Sequence, residues 1–354
     1  MPYFLKRLLL IIPTIWAIMT INFMIVQFVP GGPVDQIIAS MKGSGSSHMQ
    51  NLKNQNSDGK SMDMSQSINE ENRQKLIQQF GFDQPAWFRY LLMLKNYALF
   101  ELGESYYQNK SVYALIQEKL PVSASLGIWS TLLIYLISII LGIRKAIQHG
   151  STFDVLSSLI VIVCNAIPVF VMAILMLTIF SGGYFFDIFP LKDLVSPDFD
   201  TFSWPVKMMD YLWHISLPIF CMVITGLATL MFLTKNSFLD QMTQQYVTCA
   251  YAKGLNQKSV LYKHIFRNAM LIVISGFPAS FIGMFFTGSL MIEIIFSLDG
   301  LGLLGYNAIN QLDYPVVFGS LYLFSLMGLL INIVCDWLLG WVDPRIDLTK
   351  GTRA

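Results

Sequence analysis

Residues 245–269 read QYVTCAYAKGLNQKSVLYKHIFRNA. The segment is polar and basic: it holds Lys253, Lys258, Lys263, His264 and Arg267, a single glycine at Gly254, and no Asp or Glu. Uncharged apolar runs flank it at residues 215–233 and 269–291. A short basic connection between two membrane spans faces the cytoplasm. A bare connection needs only a few residues. This one is long enough to fold and to offer a surface to a cytoplasmic partner.

Outward from this segment the pattern repeats. Residues 8–28, 122–143, 155–180, 215–233, 269–291 and 316–335 form uncharged runs, each long enough to cross a hydrocarbon layer of about 30 Å. Apolar residues make up 54% of the 354-residue chain and charged residues 13%, against about 25% charged in soluble domains. The expected fold class is therefore an all-α integral membrane protein with six transmembrane helices. Lys6-Arg7 ahead of residues 8–28 mimics a signal peptide. The run exceeds the roughly 7–15 residues of a signal core and no small-residue cleavage site closes it, so a retained anchor helix is expected.

Lys and Arg set the orientation. Lys6, Arg7, Arg144, Lys145, Lys235, Lys253, Lys258, Lys263, Arg267, Arg345, Lys350 and Arg353 fall in one set of segments; the short opposite loops hold only Lys192 and Lys207. Both termini are expected to be cytoplasmic. The chain divides into an N-terminal transmembrane helix (1–34), an external insertion (35–121) and a five-helix core (122–354) with a cytoplasmic loop at 234–268. Within the insertion, 43–72 is rich in Ser, Asn, Gln and Gly and reads as flexible. Residues 73–119 carry helical spacing in Leu76, Phe80, Trp87, Tyr90, Leu91, Met93 and Leu94. Two roles stay open for this part: a cap over a channel mouth, or a dock for an external binding protein.

Catalytic constellations are missing. Gly59-Lys60-Ser61 mimics the end of a phosphate-binding loop, but Asn54 stands where its first glycine belongs. His48, His149, His214 and His264 lack metal-ligand spacing, and Cys164, Cys221, Cys249 and Cys335 form no CxxC pair. The chain is expected to be no enzyme and to need neither metal nor cofactor. Its net charge of +1 gives no sign of nucleic-acid binding. The runs hold only neutral polar groups, chiefly Asn22, Asn165, Thr225 and Asn332, which disfavours proton or ion coupling. Pro168 should kink the third span. Asn22, Asn165 and Pro168 are candidates for a translocation path, with helix packing as the alternative. Glu293, Asp299 and Asp313 place negative charge at the outer mouth, either to attract a cationic solute or as ordinary solvated charge.

Tyr246, Val247, Ala250, Ala252, Lys253, Gly254 and Leu255, then Lys263-His264 and Arg267-Asn268-Ala269, resemble the "EAA" coupling loop of ABC-importer permeases, especially those carrying dipeptides and oligopeptides. Thr248, Cys249 and Ala250 occupy the Glu-Ala-Ala positions, so the acidic residue is absent, as is usual in the peptide branch. Arg7-Leu8-Leu9, Ile12-Pro13-Thr14, Pro30-Gly31-Gly32-Pro33, Leu120-Pro121-Val122, Gly300-Leu301-Gly302 and Asp343-Pro344-Arg345 also resemble that branch. Asp299, where Pro is usual, and Thr20-Ile21-Asn22-Phe23 resemble Yej-type permeases of peptide and microcin C importers.

The resemblance implies a type I ABC importer permease fold in the bacterial inner membrane, with residues 35–121 as a periplasmic insertion. It implies partners: a second permease subunit in a heterodimer, cytoplasmic ABC ATPase subunits and a periplasmic solute-binding protein. ATPase coupling would fall to Thr248, Cys249, Ala250, Lys253, Gly254, Lys263, His264, Arg267 and Asn268, on two short helices with a turn at Gly254. A metal chelate such as nickel stays open as the solute, and so does an uncoupled channel or scaffold.

Overall fold

The computed structural model describes residues 3–28, 84–108, 110–181, 185–277, 280, 289–311 and 313–342. Among them the regular elements are helical; Glu104 and Ser111 form an isolated bridge. In chain order the main helices are α1 (Tyr3–Phe28), α2 (Ala86–Ala98), α3 (Val112–Ile147), α4 (Thr152–Ala166), α5 (Val169–Phe180) and α6 (Trp204–Met242). Then come α7 (Gln245–Ala252), α8 (Phe266–Ser275), α9 (Ser289–Ile295), α10 (Leu301–Gln311) and α11 (Tyr314–Val342).

Among the described residues four stretches are long and apolar enough to cross a membrane: Lys6–Ile25, Val112–Ile147, Trp204–Met242 and Tyr314–Trp337. The bent pair α4 and α5 would make a fifth. The run 269–291 starts on α8, but 278–279 and 281–288 lie outside the described residues. So do 35–83, with the expected flexible stretch 43–72, and the motif at 343–345.

The third span differs from the single kinked helix expected over 155–180. It is two helices meeting at 96°. Ile167 is extended, with φ −81° and ψ 120°, because a residue before proline is pushed out of the α region. Pro168 then caps the start of α5, its carbonyl accepting from Met172 N–H at 3.0 Å. α4 and α5 both pack on α6, so each half is held by its own contacts.

The chain forms two compact units: residues 1–8, 116–306 and 327–354, and residues 9–115 and 307–326. In the first unit α6 is the central helix, with α4, α5 and α8 against it. It buries Leu217, Cys221, Met222, Leu230, Met231 and Phe238. Ser138 of α3 donates to the Leu227 carbonyl at 3.1 Å. At about 58 Å by helical rise, α6 is longer than the hydrocarbon layer is thick and carries its last turns, with Lys235, beyond its apolar run. In the second unit Tyr97 meets Tyr322 edge to face at 5.2 Å.

Candidate functional site

α6 ends at Met242, and α7 begins at Gln245 after a two-residue link. Val247 and Ala250, three residues apart, are buried, whereas Thr248 and Cys249 are exposed. α7 therefore lays one narrow stripe on the core and turns the rest to solvent. It ends in a Schellman motif: Gly254 N–H donates to the Tyr251 carbonyl at 2.9 Å and Leu255 N–H to the Ala250 carbonyl at 3.3 Å. This closure requires Gly254 at φ +81°, a conformation that favours glycine. A Cβ there would meet nothing within 4 Å. Glycine is thus demanded by the backbone and not by crowding within this chain.

Asn256 restarts the helix, accepting from Ser259 N–H at 2.8 Å. One turn later the chain winds as a π-helix over Val260–Ile265, and Phe266 N–H reaches the Leu261 carbonyl. The second short helix expected after Gly254 is thus no separate element; it runs through the π segment into α8. The wide turn buries Val260, Leu261 and Ile265 while Tyr262 and Lys263 stay exposed. His264 is half-buried, and its carbonyl accepts from Asn268 at 3.2 Å. Arg267 is exposed on α8. Residues 251–258 form an unbroken exposed stretch containing Lys253 and Lys258. The nine candidate coupling residues thus lie on one continuous segment from α7 to the start of α8, basic and exposed at Lys253, Lys263 and Arg267, half-buried at His264 and Asn268, and buried at Ala250.

Elsewhere in the first unit lies a buried cluster that sequence reasoning missed. Lys145 is fully buried. Its ammonium donates to the Asp154 carbonyl, Ser157 Oγ and Ser158 Oγ, each at 2.7 Å, and pairs with the Asp154 carboxylate at 3.1 Å. Lys235 of α6 donates to both Asp154 oxygens at 2.8 Å. Gly150 N–H and His149 complete the shell at 3.1 and 3.3 Å. Asp154 thereby ties α3, α4 and α6 together just ahead of α7. Loop counting had treated Lys145 and Lys235 only as orientation signals; a lone acid at the start of an apolar run was the available clue to their partner.

The acidic residues expected at the outer mouth have different surroundings. Glu293 is fully buried and accepts from Ser123 Oγ and Leu303 N–H, both at 2.8 Å. Asp313 is buried in the second unit and accepts from Ser105 Oγ and from Tyr106 N–H at 3.2 Å. The solvated-charge reading fails for both, because each carboxylate is enclosed by donors from its own unit. Asp299 is exposed and pairs with Lys119. Asn165 is exposed at the α4–α5 break beside Pro168, and Asn22 is half-buried on α1. No cluster of three or more metal-ligating side chains occurs among the described residues.

Residues 134–348 match the binding-protein-dependent transport system inner membrane component family, and the chain belongs to that family. It is 53% identical over 362 residues to the inner membrane ABC transporter permease protein YejB of Escherichia coli O157:H7, with 98% of each chain covered. It is 50% identical over 358 residues to the peptidoglycan transport system permease protein YejB of Agrobacterium fabrum, again covering 98% of each. Identity to the dipeptide transport system permease protein DppB of Escherichia coli K12 is 28% over 364 residues, covering 98% of this chain and 99% of that one. The similarity to Yej-type permeases holds over the full length. With its apolar helices, the chain is a multi-pass inner-membrane permease of an ABC importer.

Proposed function

We propose that this permease carries peptides or peptide-like solutes, forms its path with a second permease, and is driven by a cytoplasmic ATPase that docks on residues 245–268. The observation that carries the reading is the exposed basic segment: α7 and the Gly254 turn face solvent over buried Val247 and Ala250, without an acidic residue. Relatives whose names specify dipeptide and peptidoglycan transport support the solute class. The coupling residues are Thr248, Cys249, Ala250, Lys253, Gly254, Lys263, His264, Arg267 and Asn268. Asn22, Asn165 and Pro168 are assigned to the path. The ion pair of Arg7 with Asp336 joins the start of α1 to the last helix and supports termini on one side, the cytoplasmic one.

Gly254→Asp tests the docking. Asp tolerates a left-handed backbone better than most residues, and the space above Gly254 is open, so the variant should insert and accumulate normally. Its carboxylate would stand on the ATPase-facing surface, and peptide uptake should be abolished. Gly254→Asn serves as the uncharged control for the backbone. Wild-type uptake by Gly254→Asp would remove this turn from coupling.

A further inference from the structure

α2 is inside out for a helix in water. Trp87 is 65% exposed and Leu91 54%, and Phe88, Leu92 and the following Leu99 are exposed with them. At about 100° per residue these side chains share one arc of roughly 140°, and the only charge within it is Lys95. The other side carries the polar groups Arg89, Tyr90 and Asn96 together with Met93 and Leu94, all half-buried, and Tyr97, buried. An amphipathic helix docked on a soluble body has the opposite polarity.

α2 is also too short to span. Its 13 residues extend about 20 Å, against about 30 Å of hydrocarbon. Its depth can be read from α1, in the same unit. Tyr90 Oη shares a hydrogen bond of 2.7 Å with Thr20 Oγ1, and its ring lies 5.3 Å from that of Phe23. Thr20 lies eight residues before the end of α1 at Phe28, or about 12 Å along the helix. α2 therefore meets the C-terminal third of α1, close to the level, about 5–10 Å below the headgroup boundary, at which interfacial helices bury their apolar face. α1 exposes Ile21, Met24 and Ile25 over the same depth, so both helices leave large apolar side chains uncovered at this level.

We propose that α2 is an interfacial helix. It lies in the bilayer leaflet at the C-terminal end of α1, with Trp87, Phe88, Leu91, Leu92 and Leu99 in lipid and the Lys95 ammonium reaching up to the headgroups. Trp at such a level is the usual membrane-interface anchor. The proposal rests on α1 crossing the membrane and not on the transported solute. It gives α2 an occupant other than a solute-binding protein.

Spin labels report the occupant. Trp87→Cys, Leu91→Cys, Tyr97→Cys and, as the reference, Lys192→Cys are introduced one at a time after replacing Cys164 and Cys249 by Ser, with Cys221 and Cys335 left buried. The permease is purified as the membrane complex it forms in cells and reconstituted in vesicles of phosphatidylethanolamine and phosphatidylglycerol. Collision with oxygen should exceed collision with a water-soluble nickel chelate several-fold at 87 and 91, relative to exposed Lys192, and both should be low at 97. Dominant nickel collisions at 87 and 91 would mean a water-facing docking surface. Low collisions of both kinds would mean a protein cover. Either result overturns the proposal. Because a label could disturb the helix, the unaltered chain is also reacted with a photoactivatable phospholipid. Labelling within 87–92 is expected, and none there would overturn the assignment.

Discussion

Glu293 explains the two glycines of Gly300-Leu301-Gly302, which the sequence shows only as a resemblance to the peptide permeases. Its carboxylate accepts from Leu303 N–H, and Ser123, which donates to it, accepts from Leu301 N–H at 2.8 Å. Two orphan donors at the start of α10 are thereby satisfied, and negative charge sits at the positive end of the helix. A Cβ at Gly302 would lie 3.0 Å from Glu293 Oε2, and one at Gly300 would strike the carboxylate itself. Glu293→Ala should therefore cost about 1–3 kcal/mol by stranding buried donors, and Glu293→Gln less. The thermal midpoint in detergent should fall in that order, with Gly300→Ala also lowered; an unchanged midpoint for Glu293→Ala would contradict a capping role. Asp313 gives a pH dependence. Burial raises its carboxyl above the ordinary range, and the hydrogen bonds from Ser105 and Tyr106 lower it without cancelling that effect. The folded state then holds the proton more tightly than the unfolded chain. Its stability falls as pH rises from about 4 through the raised folded value. Asp313→Asn should remove this slope, so the stability of wild type relative to the variant should decline over that window. A difference that stays flat with pH would reject the argument.

The contact between α3 and α6 depends on the absence of one methyl group. A Cβ at Gly142 would stand 2.6 Å from Thr234 Cβ and 2.9 Å from the Met231 carbonyl. Small residues allow such close approach of membrane helices, and the Asp154 ion pairs lie beside it. Gly142→Ala should force the helices apart at a cost of about 1–3 kcal/mol, and Gly142→Val should cost more. Unfolding in detergent would show the series; equal midpoints for all three proteins would mean that the crossing is loose. The break between α4 and α5 shows the reverse case, where Pro168 announces an interruption and the packing on α6 sets its angle.

For the importer as an assembly the energy source is the decisive property. The chain lacks a complete phosphate-binding loop, and its apolar runs hold no Asp, Glu, Lys, Arg or His. Purified alone it should neither hydrolyse ATP nor move solute down a proton gradient. Reconstituted with a second permease, an ATPase and a binding protein, it should import peptide only when ATP is supplied. Uptake by the lone chain after a pH step, without ATP, would refute the coupled reading.

Hydropathy and the distribution of Lys and Arg determined that this is a membrane protein, because a bilayer imposes a length and a polarity that a single chain must show locally. The segment around Gly254 was legible for the same reason: a helix end and its left-handed closure are set by neighbours in sequence. The roles of Lys145, Asp154, Lys235, Glu293 and Asp313 were not. Each is defined by partners from 9 to 208 residues away, and a carboxylate looks the same in sequence whether water or buried donors surround it. Only the tertiary fold decided which charges are enclosed, just as it alone turned the apolar side of α2 outward.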